Sequence, residues 1–361
     1  MSDDLICILP VKGDEELDGE IACWERSIFS SLRYNFFSAM KDGQFFVLRN
    51  VSAVHPMIFF RPVFDRIEIL HLYSKFSSLE IHAVCQFFFK MFGHIRSVGF
   101  DCIESDRGET GFFSQRYDVS EDFVIDLGAS VEGYAIRLGK QLQHDLKRFR
   151  KKLSSECGDV RFACVPGAEV AEAVFDDIIG FSVSRMAAKE VASSHTLEKS
   201  RRLFELVKKF GFVFVIYVDG TMRAGVICTL YGKDMFMHVL AHDPGFDRFR
   251  LGKLACYFSI CAAIEQGAER YHLLSGRYEY KLRFLGKPVA FDRVEVYRSI
   301  GSVLCCLERY LTIFVLGNGR RFKHYLKARG VPVPGWLTAG PAARACLGRM
   351  TEPVRRLLRR G

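Results

Sequence analysis

Apolar residues in this chain fall into strand-length runs and helix-spaced stripes, and the second half is the more regular. Val213 to Val218 is a continuous apolar run that predicts a buried strand. Asp219 and Gly220 then form a tight hairpin turn, and Ala224 to Leu230 returns as the next strand. A second turn at Gly232 to Asp234 leads into the strand Met235 to Ala241, and His242, Asp243, Pro244 and Gly245 stop the sheet. The chain passes Arg248, Arg250, Gly252 and Lys253 and enters an apolar-faced helix, Leu254 to Gln266. Upstream, Val160 to Cys164 reads as a strand, and Ala168 to Met186 and Leu197 to Phe210 as helices, the second capped by Thr196.

The first 120 residues give weaker signals. Phe45 to Arg49, Met57 to Phe60, Ile67 to Leu72 and Val98 to Cys102 predict strands, and Leu79 to Phe92 a helix with a buried aromatic side. Glu121 to Leu127 follows as a strand, and Ser130 opens a basic helix that includes Leu138 to Leu153. Past Val296, Ser299 to Leu316 predicts an apolar helix. Gly317, Asn318 and Gly319 predict a break, and Arg320 to Ala328 a basic helix. A proline- and glycine-bearing linker then leads to the arginine-rich stretch Arg344 to Arg360.

Composition narrows the class without naming it. With 361 residues, 49% of them hydrophobic, the chain can fill two cores, and most of its 33 phenylalanines belong there. A net charge of +9 suits an anionic ligand: a nucleotide cofactor, RNA or a membrane surface. The 12 cysteines show no C-x-x-C and no His/Cys cluster at zinc spacing, so they read as buried reduced thiols with no metal site. Acidic residues near the N-terminus do not fit a secretory signal, and the apolar run Val303 to Leu316 is interrupted by Glu308 and Arg309. The expected location is the cytoplasm, with peripheral contact at the inner membrane through the arginine-rich tail.

Chemistry is expected first where the long helix begins. Its opening amides lack partners within the helix and its dipole is positive there, so Arg248, Arg250, Leu251, Gly252 and Lys253 predict a phosphate-binding turn. An ordinary basic loop is the competing reading. On the preceding strand His238 and His242 share a face, and His242 beside Asp243 is the better placed of the two for general base work. Tyr280 and Lys281 offer a proton donor and a cation for developing negative charge, although alternating aromatic and basic residues also suit a half-buried strand edge. The basic helix reads as a solvated face or as a positive wall over a cleft. Ser193, Ser194 and His195 lie together in a loop, but no G-x-S-x-G elbow supports a hydrolase.

From about Phe123 to Val296 the sequence resembles the GNAT-type acyltransferases of the CelD, or cellulose-biosynthesis, kind, distant relatives of the Fem peptidyltransferases. The basic helix LGKQLQHDLKRFRKKL, the strands from Phe212 to Asp243 and the closing G-x-x-x-YK of Gly276 to Lys281 carry the resemblance. A Ser-Pro-Gly frequent in that group is replaced by Phe249, Arg250, Leu251 and Gly252, and the aromatic that often follows the lysine is matched by Phe284. The resemblance implies an α/β (α+β) fold with a mixed sheet flanked by helices and tandem GNAT-like halves. Residues 1–120 would be a degenerate first half, 121–297 the catalytic half and 298–361 a helical, arginine-rich extension. It also implies acyl-CoA, in the first place acetyl-CoA, as co-substrate without a metal. The acceptor would be an amine or hydroxyl on a sugar, a polysaccharide precursor or a related small molecule. The alternatives are transfer from aminoacyl-tRNA, the one setting in which nucleic acid is an expected partner, and an inactive scaffold at a polysaccharide assembly.

Overall fold

The computed structural model describes residues 8–10, 46–49, 57–188 except Leu72, and 196–331 except Ser275, Arg277 and Gly330. In chain order the elements begin with β1 (Ile8–Pro10), β2 (Phe46–Arg49), β3 (Met57–Val63), β4 (Arg66–Ile69), β5 (Lys75–Phe76), α1 (Ser78–Met91), β6 (Ser97–Ser105) and β7 (Phe113–Asp126). Next come α2 (Val131–Arg137), α3 (Lys140–Glu156), β8 (Val160–Pro166), α4 (Glu172–Ala187), α5 (Leu197–Phe210), β9 (Gly211–Val218), β10 (Thr221–Tyr231) and β11 (Asp234–His242). The remainder is α6 (Leu251–Glu265), β12 (Arg270–His272), α7 (Glu279–Arg283), β13 (Lys287–Tyr297), α8 (Ile300–Cys305) and α9 (Leu307–Ala328).

The chain divides into two compact units, one holding residues 43–120 and 290–361, the other residues 121–289, besides shorter N-terminal stretches. Each is a mixed sheet flanked by helices, and both repeat one order of elements. In the first, β2, β3 and β4 form an antiparallel meander, α1 follows, and β6 pairs parallel to β4. In the second, β9, β10 and β11 form the meander, α6 follows, and β12 pairs parallel to β11. An antiparallel strand then covers each new edge: β13 against β6, and the end of β7 against β12.

Local chemistry explains these elements. Asp219 and Gly220 both have positive φ (51° and 74°), the geometry of the two-residue hairpin turn that joins β9 to β10. Ser77 caps α1 in a reciprocal capping box with Glu80, Ser130 caps α2, and Thr196 caps α5. One face of the second sheet packs Phe214, Ile216, Val226 and Met235 against α2, α3 and α6. The other packs Val213, Val215, Ile227 and Val239 against α4 and α5. The first unit's core gathers Phe60, Phe76, Phe88 and Phe100.

Three expectations are corrected. The basic helix does not run unbroken from Ser130: Leu138 is extended and Gly139 starts a new helix, so α2 and α3 are separate. The Tyr278 to Lys281 stretch leads into and forms the short helix α7, not a strand. Gly317 to Gly319 do not break the last helix. A side chain on Gly317 would meet the Cβ of Tyr117 at 3.0 Å, so close packing accounts for this glycine within α9.

Candidate active site

The site begins where two parallel strands part. β11 pairs with β12 only through Asp234, Met235 and Phe236, whereas β11 continues to His242 and stays paired with β10. Among the described residues the β11–β12 pairing thus ends at Phe236, and the two strands diverge from Met237 onward. The chain leaves β12 through Leu274, whose φ is 56°.

Lys281 holds that exit. It is 1% exposed, and its ammonium donates to the carbonyls of Leu273 (2.9 Å) and Leu274 (2.8 Å). The Nζ lies 5.3 Å from the centre of the Phe123 ring and 5.7 Å from that of Tyr278. Burial lowers its pKa to about 8, with Asp122 opposing the shift. The last residue of β12 is fixed just as firmly: His272 Nδ1 bonds Asp122 (2.6 Å) and Nε2 bonds Asp234 (3.1 Å) while its ring stacks on Phe236. Burial alone would lower the His272 pKa, but the two carboxylates outweigh it and raise it.

At the open end of β11 stands the start of α6. Its N-cap, Arg250, has φ 56° and ψ 40°, and no side chain caps the helix. The amides of Lys253 and Leu254 return to the Arg250 carbonyl, and the Arg250 amide bonds Asp247. Among the described residues the amides of Leu251 and Gly252 have no partner. Such amides, at the positive end of a 15-residue helix, suit an anion. Lys253, Arg250 and Arg283 add positive charge. Burial first, then Arg283 and Arg250, lowers the pKa of Lys253, with Asp145 and Glu279 opposing.

His242 faces this helix start, though not with the partner expected from its neighbourhood. Its Nε2 bonds Asp247 Oδ1 (2.7 Å), five residues on. Asp243 instead accepts from Arg223 (2.9 Å) and from the Gly245 amide, capping the short 3-10 turn Pro244–Phe249. The other ring nitrogen of His242, Nδ1, is buried without a partner among the described residues. A Cβ on Gly252 would lie 3.2 Å from it, so the glycine leaves room for that ring. Sequence reasoning missed Asp247 because no periodicity joins it to His242.

His238 does not share a face with His242 as alternation predicts. It sits at a β-bulge of β11, across which Met235 and Met237 pack in one core and Val239 and Ala241 in the other. The His238 Nε2 bonds Thr229 Oγ1 (2.7 Å), and burial brings its pKa down to about 4. It is neutral at physiological pH. Tyr280 is half-buried in α7 and stacks with Tyr278; burial, then Cys256, pushes its hydroxyl pKa up, while Arg185 of α4 opposes. The Arg185 Nε is buried without a partner among the described residues. Ser193, Ser194, His195 and the arginine-rich tail lie outside the described residues.

The basic helix α3 is divided between two surroundings. Asp145, buried on it, accepts from Arg148 (3.1 Å) and from Arg283 of α7 (3.3 Å). Lys152 and Arg248 both lie over the Phe249 ring, at 5.6 and 4.5 Å from its centre, and Arg248 pairs with Glu156 (3.7 Å). Lys147 and Arg150 line a separate groove with Leu254 and Tyr257 of α6. Among the described residues no cluster of three His, Cys, Asp or Glu side chains could hold a metal, and no helix is long and apolar enough to cross a membrane.

Residues 140–282 match a family described as an acetyltransferase (GNAT) domain, so the stretch from α3 into α7 is a GNAT acetyltransferase-like domain. No curated protein matches the chain. Among solved structures, FemX is 7% identical, covers 82% of this chain and 99% of its own, and superposes with a TM-score of 0.59. A conserved protein of unknown function from Bacteroides thetaiotaomicron is 11% identical, with 81% and 100% covered and a TM-score of 0.56. The L-PGS of Bacillus licheniformis is 14% identical, with 86% and 97% covered and a TM-score of 0.52. At these identities the likeness is one of fold.

Proposed function

We propose that the GNAT acetyltransferase-like domain transfers an acyl group from acyl-CoA, acetyl-CoA in the first instance, to an amine on a sugar or polysaccharide precursor. One observation carries the reading. The buried, unpartnered Nδ1 of His242 and the open amides of Leu251 and Gly252 converge on the start of α6, among the cations Arg250 and Lys253. A phosphate oxygen would satisfy all three groups. His242 would then donate through Nδ1 to the phosphate while Asp247 holds its Nε2.

When bound, acyl-CoA supplies a thioester carbonyl as the acylating group. The four residues from His242 back to His238 span about 13 Å of extended strand. A phosphate held at Gly252 therefore leaves the stretch of β11 past its pairing with β12, as far as His238, for the remainder of an extended donor. Lys281 acts here as a positioning residue, holding the exit of β12 through Leu273 and Leu274. In the transfer the acceptor nitrogen forms a bond to the carbonyl carbon, the carbon–sulfur bond breaks, His238 takes the nitrogen's proton and Tyr280 gives one to the leaving thiolate. A base with a pKa of about 4 is too weak to ionise a hydroxyl. It suffices for an amine, whose N–H becomes acidic once the new bond has begun to form. Arg185, beside Tyr280 and with its Nε unpartnered among the described residues, supports an acceptor that carries negative charge. The sugar class rests on the resemblance to the cellulose-biosynthesis kind.

Aminoacyl-tRNA is the second donor considered, favoured by the exposed cations Arg148 and Lys151 on α3. Release of free thiol from acetyl-CoA in the presence of amino sugars and uronic-acid amines tests the first reading. Acceptor-dependent release, lowered at least tenfold in His238→Gln with unchanged CoA affinity, is expected. Release with none of the acceptors, together with transfer from charged tRNA, would replace it with the second.

A further inference from the structure

Outside the proposed cleft, α2, α3 and α6 enclose a groove of about 540 Å³. That lies within the range of about 300–1,000 Å³ usual for small-molecule sites. Leu138, Leu146 and Leu254 are buried at its lining, and Phe162, Tyr257 and Phe258 are only partly covered there. Phe162 and Phe258 meet edge to face at 5.3 Å. Two exposed cations, Lys147 and Arg150, line the same groove, and no acidic residue does. Among the described residues neither cation has a carboxylate partner, although α3 elsewhere pairs Arg148 with Asp145 and Lys152 with Glu156. Arg150 lies 5.7 Å from the Phe162 ring centre, with its guanidinium against apolar surface.

Around the groove the charges are uneven: Glu132 bears on both Tyr257 and Cys261, Glu265 on Cys261, and Arg150 on Tyr257, one helical turn nearer the start of α6. An apolar trough that is cationic toward one end suits an aliphatic chain with one anionic head. One groove of this volume accommodates a single chain, not the paired chains of a membrane phospholipid.

We propose that this groove is a second, non-catalytic ligand site for a free long-chain fatty acid, its carboxylate on Lys147 and Arg150 and its chain along Leu254, Tyr257 and Phe258. A planar guanidinium receives a carboxylate through two parallel hydrogen bonds, and the ammonium adds a third. The site depends on none of the groups assigned to acyl transfer.

Calorimetric titration of the full chain with dodecanoate, below its micelle-forming concentration, tests the proposal. Methyl dodecanoate and phosphatidylglycerol vesicles serve as the neutral and lipid arms. Saturable binding of one dodecanoate per chain is expected. The Lys147→Glu/Arg150→Glu variant should weaken dodecanoate at least tenfold and leave the methyl ester unchanged, and Ala135→Phe, which fills the groove, should abolish both. Both charge changes are at exposed positions, so a folded variant is available even if Ala135→Phe disturbs the helix packing. Absence of saturable binding, equal affinity of wild type and the charge variant for dodecanoate, or association with vesicles alone would overturn the proposal.

Discussion

Gly252 and His242 are matched to one another: a Cβ at residue 252 would lie 3.2 Å from His242 Nδ1 and 3.3 Å from Cε1. The glycine that marks the start of α6 thus makes room for an imidazole. Gly252→Ala is expected to cost about 1 kcal/mol of stability through overpacking, and His242→Ala to remove that cost. A double-mutant cycle in urea checks this, with a coupling of at least about 0.5 kcal/mol expected. Additive effects would mean that the ring does not constrain the glycine.

Lys281 yields a second prediction. Lys281→Met keeps most of the side-chain volume but strips donors from two carbonyls, each costing about 1–3 kcal/mol when left unsatisfied in the interior. Relief from burying an ammonium offsets part of this, so a net loss of about 2 kcal/mol is expected by urea denaturation. If Lys281 acts directly on the reacting carbonyl, turnover should fall with no loss of stability.

His238 and His272 give the protein opposite pH responses. His238 has its folded pKa depressed to about 4 from 6.5, so the unfolded chain binds the extra proton between those values. Its contribution is present above pH 6.5 and lost on acidification toward 4. His272 is raised above 6.5, so its contribution is present below 6.5 and lost as pH rises through the folded value. In urea midpoints measured across the range, His238→Gln should flatten the acid side and His272→Gln the alkaline side. The opposite assignment would contradict the burial of one ring and the carboxylate pairing of the other.

Gly317 offers a test in the first unit. Gly317→Leu pushes a side chain into Tyr117 and is expected to cost about 1–3 kcal/mol, by the same overpacking argument. A neutral outcome in thermal denaturation would mean that α9 moves away from Tyr117 without cost.

The parts of this protein legible in its sequence are those that local chemistry decides. Val213 to Val218 was legible because a strand covered on both faces is apolar throughout, and Asp219 and Gly220 because both turn positions need positive φ. Thr196 and Ser130 announced their helices through ordinary capping. What stayed hidden depends on distant partners. Gly317 looked like a helix stop because its reason, Tyr117, is far away in sequence. Nothing near Lys281 in the sequence shows that it holds the carbonyls of Leu273 and Leu274. In the candidate site the helix start at Gly252 was visible as glycine among cations, whereas Asp247 as the partner of His242 was not, since the 3-10 turn between them sets that pairing.

The most direct test of the central claim is calorimetric titration of the nucleic-acid-free protein with CoA and acetyl-CoA, beside Arg250→Glu and Lys253→Glu. Micromolar, one-to-one binding to the wild type, weakened at least tenfold in both variants at unchanged thermal stability, is the predicted result. No binding to the wild type, or equal affinity in all three proteins, would contradict a phosphate site at the start of α6.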